Sequence, residues 1–238
     1  MSINFSLVLP CYNEEKNIAF LCKEFLELPM DKYKAELILV NNGSNDSTKF
    51  EIEKAIKNNN SQNIDIKLVD IKKNVGYGGG ISEGLKVSKG EFIGWAHADL
   101  QTPLSDFFKL FMLVKGKKKI LGKGFRTNNR GFDGLVSRFH EYLASIILGY
   151  KMREINAQPK IFNKELLNDF KNMPKKWTTL DTYIVYKCLK NSIEIKTIDV
   201  VFNTRKFGNS KWKNNFLSFI SHIFFNILYL FKLRFSKK

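Results

Sequence analysis

Apolar and polar positions follow two alternating rhythms through the first half of the chain. Asn4–Leu9 is short, apolar and β-prone, and Pro10 is expected to end it. Glu14–Leu28 has helical spacing, with Ile18, Leu21, Cys22, Phe25 and Leu28 on one face. Glu36–Val40 reads as a buried strand, Asn41–Ser47 as turn chemistry, and a helix follows to about Lys57. Ile66–Ile71 repeats the strand pattern, Gly76–Gly80 reads as a glycine loop, Ile81–Val87 as a helix and Glu91–Trp95 as a fourth strand. Strands alternating with helices predict βαβ units and a mostly parallel sheet. Ligands of such sheets sit at the carboxyl ends of the strands. Each polar cluster lies just after an expected strand: Pro10–Glu15, Asn41–Asp46, Asn74–Gly80 and His97–Gln101.

The second half is less regular. Helices are expected at Ser105–Val114, Asp133–Leu148, Lys164–Phe170 and Leu180–Lys190, with strands at Lys119–Gly122, Lys160–Phe162 and Ile193–Phe202. Phe216–Phe231 then runs sixteen residues without a formal charge. Such a helix is about 24 Å long, short of the roughly 30 Å hydrocarbon core. Ser218, His222, Asn226 and Tyr229 form its polar stripe, and Lys211, Lys213, Lys232, Arg234, Lys237 and Lys238 flank it. That pattern reads as an interfacial amphipathic helix; a C-terminal helix packed on the domain or in a dimer is the alternative. The expected organisation is one domain over 1–211 and a basic amphipathic appendage over 212–238.

Charge sharpens this picture. The formal net charge is +16, and two stretches carry the whole surplus: 107–132 and 200–238 each hold eight Lys or Arg and no acid. A concentrated positive field implies an anionic partner: phosphate, nucleic acid or a membrane surface. No nucleic-acid-binding signature accompanies the Lys115–Lys119 run, so no nucleic acid partner is expected. Cys11, Cys22 and Cys188 form no metal spacing, and so sparse a set suits a reducing compartment. The segment MSINFSLVLP lacks the basic n-region of a secretory leader.

The clusters carry candidate chemistry. Tyr12 offers a flat face and a hydroxyl, and Glu14 can accept from a ribose or a base N–H, or be a first-turn helix acid. The amides of Asn41 and Asn42 could pair with a base edge; turn and cap chemistry is the alternative. Glycines at a helix start, Gly76 and Gly78 among them, suit a diphosphate. They form neither GxGxxG nor a P-loop. His97 and Asp99, two apart after a strand, could face one divalent metal, Mg²⁺ or Mn²⁺, with phosphate oxygens completing the shell. Asp181 is a candidate to take a proton, or equally a first-turn helix acid. Gln158 and Lys160 are candidates to touch sugar or phosphate, or merely to support a strand.

In their order these motifs resemble the family 2 inverting glycosyltransferases of GT-A fold, especially the dolichol-phosphate mannose synthase and bacterial polyprenyl-phosphate sugar transferase branch. The residues are Pro10-Cys11-Tyr12-Asn13-Glu14, Val40-Asn41-Asn42-Gly43-Ser44-Asn45-Asp46, Asn74–Gly79, His97–Gln101 and Arg205-Lys206-Phe207-Gly208-Asn209-Ser210-Lys211. The resemblance implies an α/β fold with a single Rossmann-like sheet flanked by helices. It implies sugar transfer from a UDP- or GDP-linked donor to a lipid-linked acceptor, with the protein peripheral at the cytoplasmic face of an anionic membrane. Pro10, Tyr12, Glu14 and Asn41 or Asn42 would bind base and ribose. Asp99 would bind the metal with Gln101 close by, and Arg205, Ser210 and Lys211 would close over the donor phosphates. Arg126, Arg130 and Arg138 fall where such enzymes hold an acceptor phosphate. Asn41, Asn42 and His97 stand where the family pattern has acids, which leaves a degenerate domain that binds without turnover as the competing expectation.

Overall fold

The computed structural model describes residues 2–128, 130–207 and 216–236, with backbone alone for 177–178 and 216–222. Seven strands form one sheet in the order β3-β2-β1-β4-β6-β5-β7. They are β1 (Phe5–Cys11), β2 (Ala35–Asn42), β3 (Ile64–Ile71), β4 (Phe92–Trp95), β5 (Ile120–Arg126), β6 (Lys160–Asn163) and β7 (Glu194–Val200). All pair in parallel except β6, which runs against both β4 and β5. The helices are α1 (Glu15–Leu26), α2 (Thr48–Lys57), α3 (Tyr77–Val87), α4 (Leu104–Val114), α5 (Gly131–Leu148), α6 (Trp177–Lys190) and α7 (Phe216–Phe235). Lys164–Asn168 makes one 3₁₀ turn.

Buried strands read as continuous apolar runs because both faces are covered. On one face Leu7, Leu9, Leu37 and Leu39 meet α1, α2 and α4 through Ile18, Phe25, Ile52 and Phe107. Phe5 anchors that layer, its ring 4.7 Å from Phe111 and 5.8 Å from Phe107. On the other face Val8, Val40 and Trp95 meet α3, α5, α6 and α7 through Ile81, Leu148, Ile184 and Leu230. On the predicted inner face of α1, Ile18, Leu21, Cys22 and Phe25 are buried, as is Leu28 just past the end of the helix, which stops at Leu26.

Three local expectations are corrected. Pro10 does not end β1 but lies within it, opposite Val40. Val8 accepts from Ala96 at 3.2 Å, so even positions of β1 face β4, which has already ended where Pro10 lies. No ladder bond is lost by its missing N–H. Asn41 and Asn42 are the last residues of β2 rather than a turn. Gly78, Gly79 and Gly80 lie inside α3 rather than in a loop before it.

The C-terminal helix is docked. Leu230 and Leu233 are buried, and Arg234 Nη1 donates to the Leu148 carbonyl at 3.0 Å, a cation on the last turn of α5. Among the described residues no helix is long and apolar enough to cross a membrane.

Gly84 shows how tightly the second layer is packed. A Cβ there would come within 2.3 Å of Val8 Cγ1 and 3.0 Å of Val40 Cγ2. Gly84→Ala should cost about 1–3 kcal/mol by overpacking, read as a lower urea midpoint at unchanged slope. An unchanged midpoint would contradict this packing.

Candidate active site

The strand order reverses between β1 and β4: β2 lies to one side, β6 to the other. A crevice at the carboxyl ends of strands is expected at such a switch point. Because β6 is antiparallel to both β4 and β5, the ends of β1, β4, β5 and β7 and the start of β6 share one edge. Glu14, Asp99, Arg126, Lys160 and Arg205 all emerge along it.

In the crevice, the turn after β4 is tightly tied. The Gln101 N–H donates to Asp99 Oδ1 at 3.2 Å, and its Nε2 donates to the Asn203 carbonyl at 2.7 Å. Arg205 donates Nη2 to Asp99 Oδ2 at 2.9 Å and Nε to Gln101 Oε1 at 3.3 Å. Asp99, Gln101 and Arg205, far apart in sequence, thus form one cluster. Leu100 between them has a φ of 59°. A left-handed leucine costs about 1–3 kcal/mol and is tolerated where surrounding bonds over-determine it.

Glu14 faces the same cluster. Burial, with Asp99 adding to it, lifts its carboxyl to about 7, against donation from Asn17 and the pull of Arg205. Its loop is laced to the one after β2: the Asn13 N–H donates to Ser44 Oγ at 3.0 Å, and the Glu14 N–H to Thr48 Oγ1 at 2.8 Å. Pro10 and Tyr12 are half-buried at this end of β1.

His97 is not drawn into a ligand cluster by side-chain neighbours. Its ring lies 5.3 Å from Tyr77 and meets Phe202 edge-on at 6.4 Å. Burial lowers its pKa, so the imidazole is neutral. No group of three or more His, Cys, Asp or Glu that could hold a metal occurs among the described residues.

The asparagines divide their work. Asn41 donates to Asp70 at 2.8 Å and accepts from the Ser44 N–H at 3.3 Å. Asn42 accepts from Val75 N–H at 3.1 Å and donates to the Gly76 carbonyl at 3.0 Å, stapling the end of β2 to the start of α3. The glycine expectation is corrected here. A Cβ on Gly78 would lie 2.4 Å from the Pro174 carbonyl oxygen, and the Gly79 N–H donates to the Lys175 carbonyl at 3.1 Å. Close backbone approach demands these glycines, but the backbone that approaches is the protein's own.

Farther along the edge lies a basic cluster. Arg126 is buried, its Nε paired with Glu154 Oε2 at 2.5 Å and its Nη2 without a hydrogen-bond partner among the described residues. Burial and the charge of Arg126 lower the pKa of Arg130, whose guanidinium lies 5.1 Å over the Phe202 ring. Phe202 therefore touches both Arg130 and His97, and joins the two ends of the site. Arg138 is exposed on α5, about 12 Å of helix rise beyond Arg130, and is not gathered into the pair. Lys160 and Asp181 form a buried ion pair at 2.7 Å, and Gln158 Nε2 donates to both Asp181 oxygens at 3.1 and 3.3 Å. So buried and so paired, Asp181 is not placed to accept a proton, which corrects its reading as a base. Ser210 and Lys211 lie outside the described residues.

The pattern of Glycosyl transferase family 2 matches residues 6–173. The chain belongs to that family. It is 25% identical over 217 residues to a dodecaprenyl-phosphate galacturonate synthase of Rhizobium johnstonii, covering 89% of this chain and 62% of that one. It is 30% identical over 154 residues to a dolichyl-phosphate beta-glucosyltransferase of Dictyostelium discoideum, covering 62% and 46%. The chain thus spans about half to two thirds of the length of these curated relatives. Its fold resembles the glucosyl-3-phosphoglycerate synthase of Mycobacterium tuberculosis crystallised with Mn²⁺, UDP and phosphoglyceric acid, with a TM-score of 0.70, 18% identity and coverage of 99% and 80%. The family 2 fold here is GT-A: one mostly parallel sheet between helical layers.

Sequence reasoning missed Lys123, Glu154 and Tyr77. Lys123 had a signal, a lysine in the apolar run Ile120–Phe125. It is 2% exposed, and burial, followed by the charge of Lys160, lowers its ammonium to about 7. Glu154 and Tyr77 had none, since their partners are distant in sequence.

Glu14 yields a pH test. Its folded pKa, about 7, exceeds the unfolded 4.5. The stability it contributes is full below pH 4.5 and is lost as pH rises through 7. Relative to wild type, Glu14→Gln should gain about 1–2 kcal/mol between pH 5 and 8, measured by urea unfolding at both. A constant difference would refute the assignment.

Proposed function

We propose that the chain transfers a sugar from a UDP- or GDP-sugar to a polyprenyl phosphate at a membrane surface. The observation that carries this reading is the Arg126–Arg130 pair, with one buried nitrogen lacking a partner. The Phe202 ring, against both Arg130 and His97, links it to the crevice of Glu14, Asp99 and Arg205. A pair of close guanidiniums with an unmet donor suits a phosphate, and a phosphate beside a donor crevice is an acceptor. The names of the relatives, dodecaprenyl- and dolichyl-phosphate enzymes, agree.

The step is a single displacement. An acceptor phosphate oxygen attacks C1 of the sugar opposite the leaving group, the C1–O bond to the diphosphate breaks, and the nucleoside diphosphate departs with the electron pair. Configuration at C1 inverts. The attacking oxygen is already ionised, so no base is required. That fits an Asp181 held by Lys160 and Gln158. Pro10, Tyr12, Glu14 and Asn41 line the base and ribose end, and Asn42 and Gly76 fix its wall. Arg205, beside Asp99, neutralises the departing diphosphate. A divalent metal, Mg²⁺ or Mn²⁺, fits Asp99 with the neutral His97 beside it only if donor phosphates and water complete its shell. When bound it supplies positive charge to the leaving group.

Membrane contact is supported by two helices. On α5, Phe132, Leu135, Phe139, Tyr142 and Ile146 are exposed along one stripe, and on α7 so are Phe224, Leu228, Phe231 and Phe235. A groove of about 260 Å³ runs between them, lined by Leu135, Phe139, Ile223 and Ile227. Arg138 and Lys232, exposed on these same two helices, supply positive charge that suits anionic headgroups. The fit is to a peripheral protein on the cytoplasmic face, with its cysteines free and buried.

Radiolabelled UDP- and GDP-sugars with undecaprenyl phosphate in phosphatidylglycerol vesicles test the reading. One donor should give labelled lipid, and Asp99→Asn should lower the rate at least 100-fold, about 2.7 kcal/mol. Nucleotide binding with neither transfer nor hydrolysis would mark a degenerate domain. In flotation with the same vesicles, Phe139→Asp combined with Phe231→Asp should lose membrane binding at an unchanged thermal midpoint, since both side chains are exposed. Retained flotation would sink the α5–α7 docking surface.

A further inference from the structure

Glu154 lies between α5 and β6 in a left-handed conformation, φ 48°, that a side chain rarely adopts. Three interactions hold it. Its backbone N–H donates to the Glu141 carboxylate on α5. Its carbonyl accepts from the Lys123 ammonium at 2.9 Å. Its own carboxylate receives Arg126 Nε at 2.5 Å. One residue thus grips two basic side chains of β5 from a segment far along the chain.

The consequence falls on Arg126. A guanidinium is planar, so pairing at Nε fixes the plane and the direction of the other nitrogens. Nη2 is left buried with no partner among the described residues. A buried donor left unmet is costly, and so is a second guanidinium, Arg130, close enough for the two charges to oppose each other. Without Glu154, Arg126 would be a buried, uncompensated cation and would swing to whatever acceptor lay nearest. Holding Nε on the protein keeps Nη2 free for an anion.

We propose that Glu154 is a positioning residue for the acceptor, clamping Arg126 so that Nη2 meets the acceptor phosphate while its carbonyl holds the Lys123 side chain in place. This rests on the reading of Arg126 as an acceptor-phosphate ligand. Sequence spacing hides the clamp, because Glu154 and Arg126 are 28 residues apart.

The test uses farnesyl phosphate in detergent micelles as the acceptor probe, titrated calorimetrically into wild type, Arg126→Ala, Glu154→Gln and Glu154→Asp. Whichever of UDP or GDP stabilises the wild type is titrated alongside, and the thermal midpoint is recorded. Arg126→Ala and Glu154→Gln should each weaken farnesyl phosphate about tenfold, roughly 1.4 kcal/mol, with nucleotide affinity within about twofold. Glu154→Asp keeps the charge but is a methylene shorter, and should recover about half of that free energy, leaving a loss of about threefold. If Arg126→Ala binds as wild type does, or the wild type does not bind, the acceptor reading fails and the clamp with it. If Arg126→Ala weakens the probe and Glu154→Gln does not, the clamp alone fails. Equal loss of both ligands with a falling midpoint would reduce Glu154 to a structural residue. Should Glu154→Gln not fold, Glu154→Asp decides: the methylene it lacks should cost about threefold in probe affinity, and an unchanged affinity overturns the clamp.

Discussion

The parallel pairing of β1 with both β2 and β4 is the constraint on which the rest depends. Two neighbours in register along the same strand, Phe5 opposite Ala35 and also opposite Phe92, force the following connections to leave in opposite directions. A crevice is then left between those connections at the carboxyl ends of the strands. Of the left-handed non-glycine residues, Asn13 and Leu100 lie there, just past the ends of β1 and β4. The antiparallel β6 extends the same edge, since it turns its first residue, Lys160, rather than its last toward the site. A single pairing rule therefore gathers residues from 10 to 205 into one row.

Much of this was legible in the chain because burial and element type leave periodic marks. The four strands before residue 100 and the inner face of α1 follow directly from apolar spacing. What was hidden depended on contacts rather than propensity. Glycines in a row predict a loop, yet Gly78–Gly80 are helical because Pro174 and Lys175 press against them and leave no room for a Cβ. Pro10 predicts a strand end, yet the strand continues because its neighbour has already stopped. On α5, apolar residues occur on both sides of the helix, and the pattern alone does not say which side faces out. The motif residues were legible as a set; their roles were not, since Asn42, Gly78 and Asp181 proved to be engaged with protein.

The charge distribution acts at two ranges. The surplus of basic residues in 107–132 and 200–238 sets a broad attraction for anionic surfaces, screened within about 8–10 Å at ordinary ionic strength. The buried set behaves differently. Lys123, Arg126, Arg130 and Lys160 oppose one another with little water between them, which is why burial and mutual repulsion lower Lys123 to about 7 and depress Arg130 and Lys160 as well. Glu154, Asp181, Glu141 and Asp133 offset them, and burial together with Glu154 raises Glu141, which favours its neutral form. The cluster is held short of negative charge by its own construction.

In the proposed reaction, that shortage would set the chemical character of the acceptor. A sugar hydroxyl would bring no negative charge to Arg126 and would need a base to take its proton, while Glu154 already serves Arg126 at 2.5 Å and Asp181 already serves Lys160 at 2.7 Å. Withdrawing Asp181 to act as a base would strand an ammonium that is fully buried, a loss on the order of 3–5 kcal/mol. A phosphate reverses both difficulties. It arrives ionised, fills the unmet Nη2, relieves the repulsion between Arg126 and Arg130, and leaves the Lys160–Asp181 pair intact as the floor beneath it. The same residues that make a poor site for a hydroxyl nucleophile make a good one for an oxyanion.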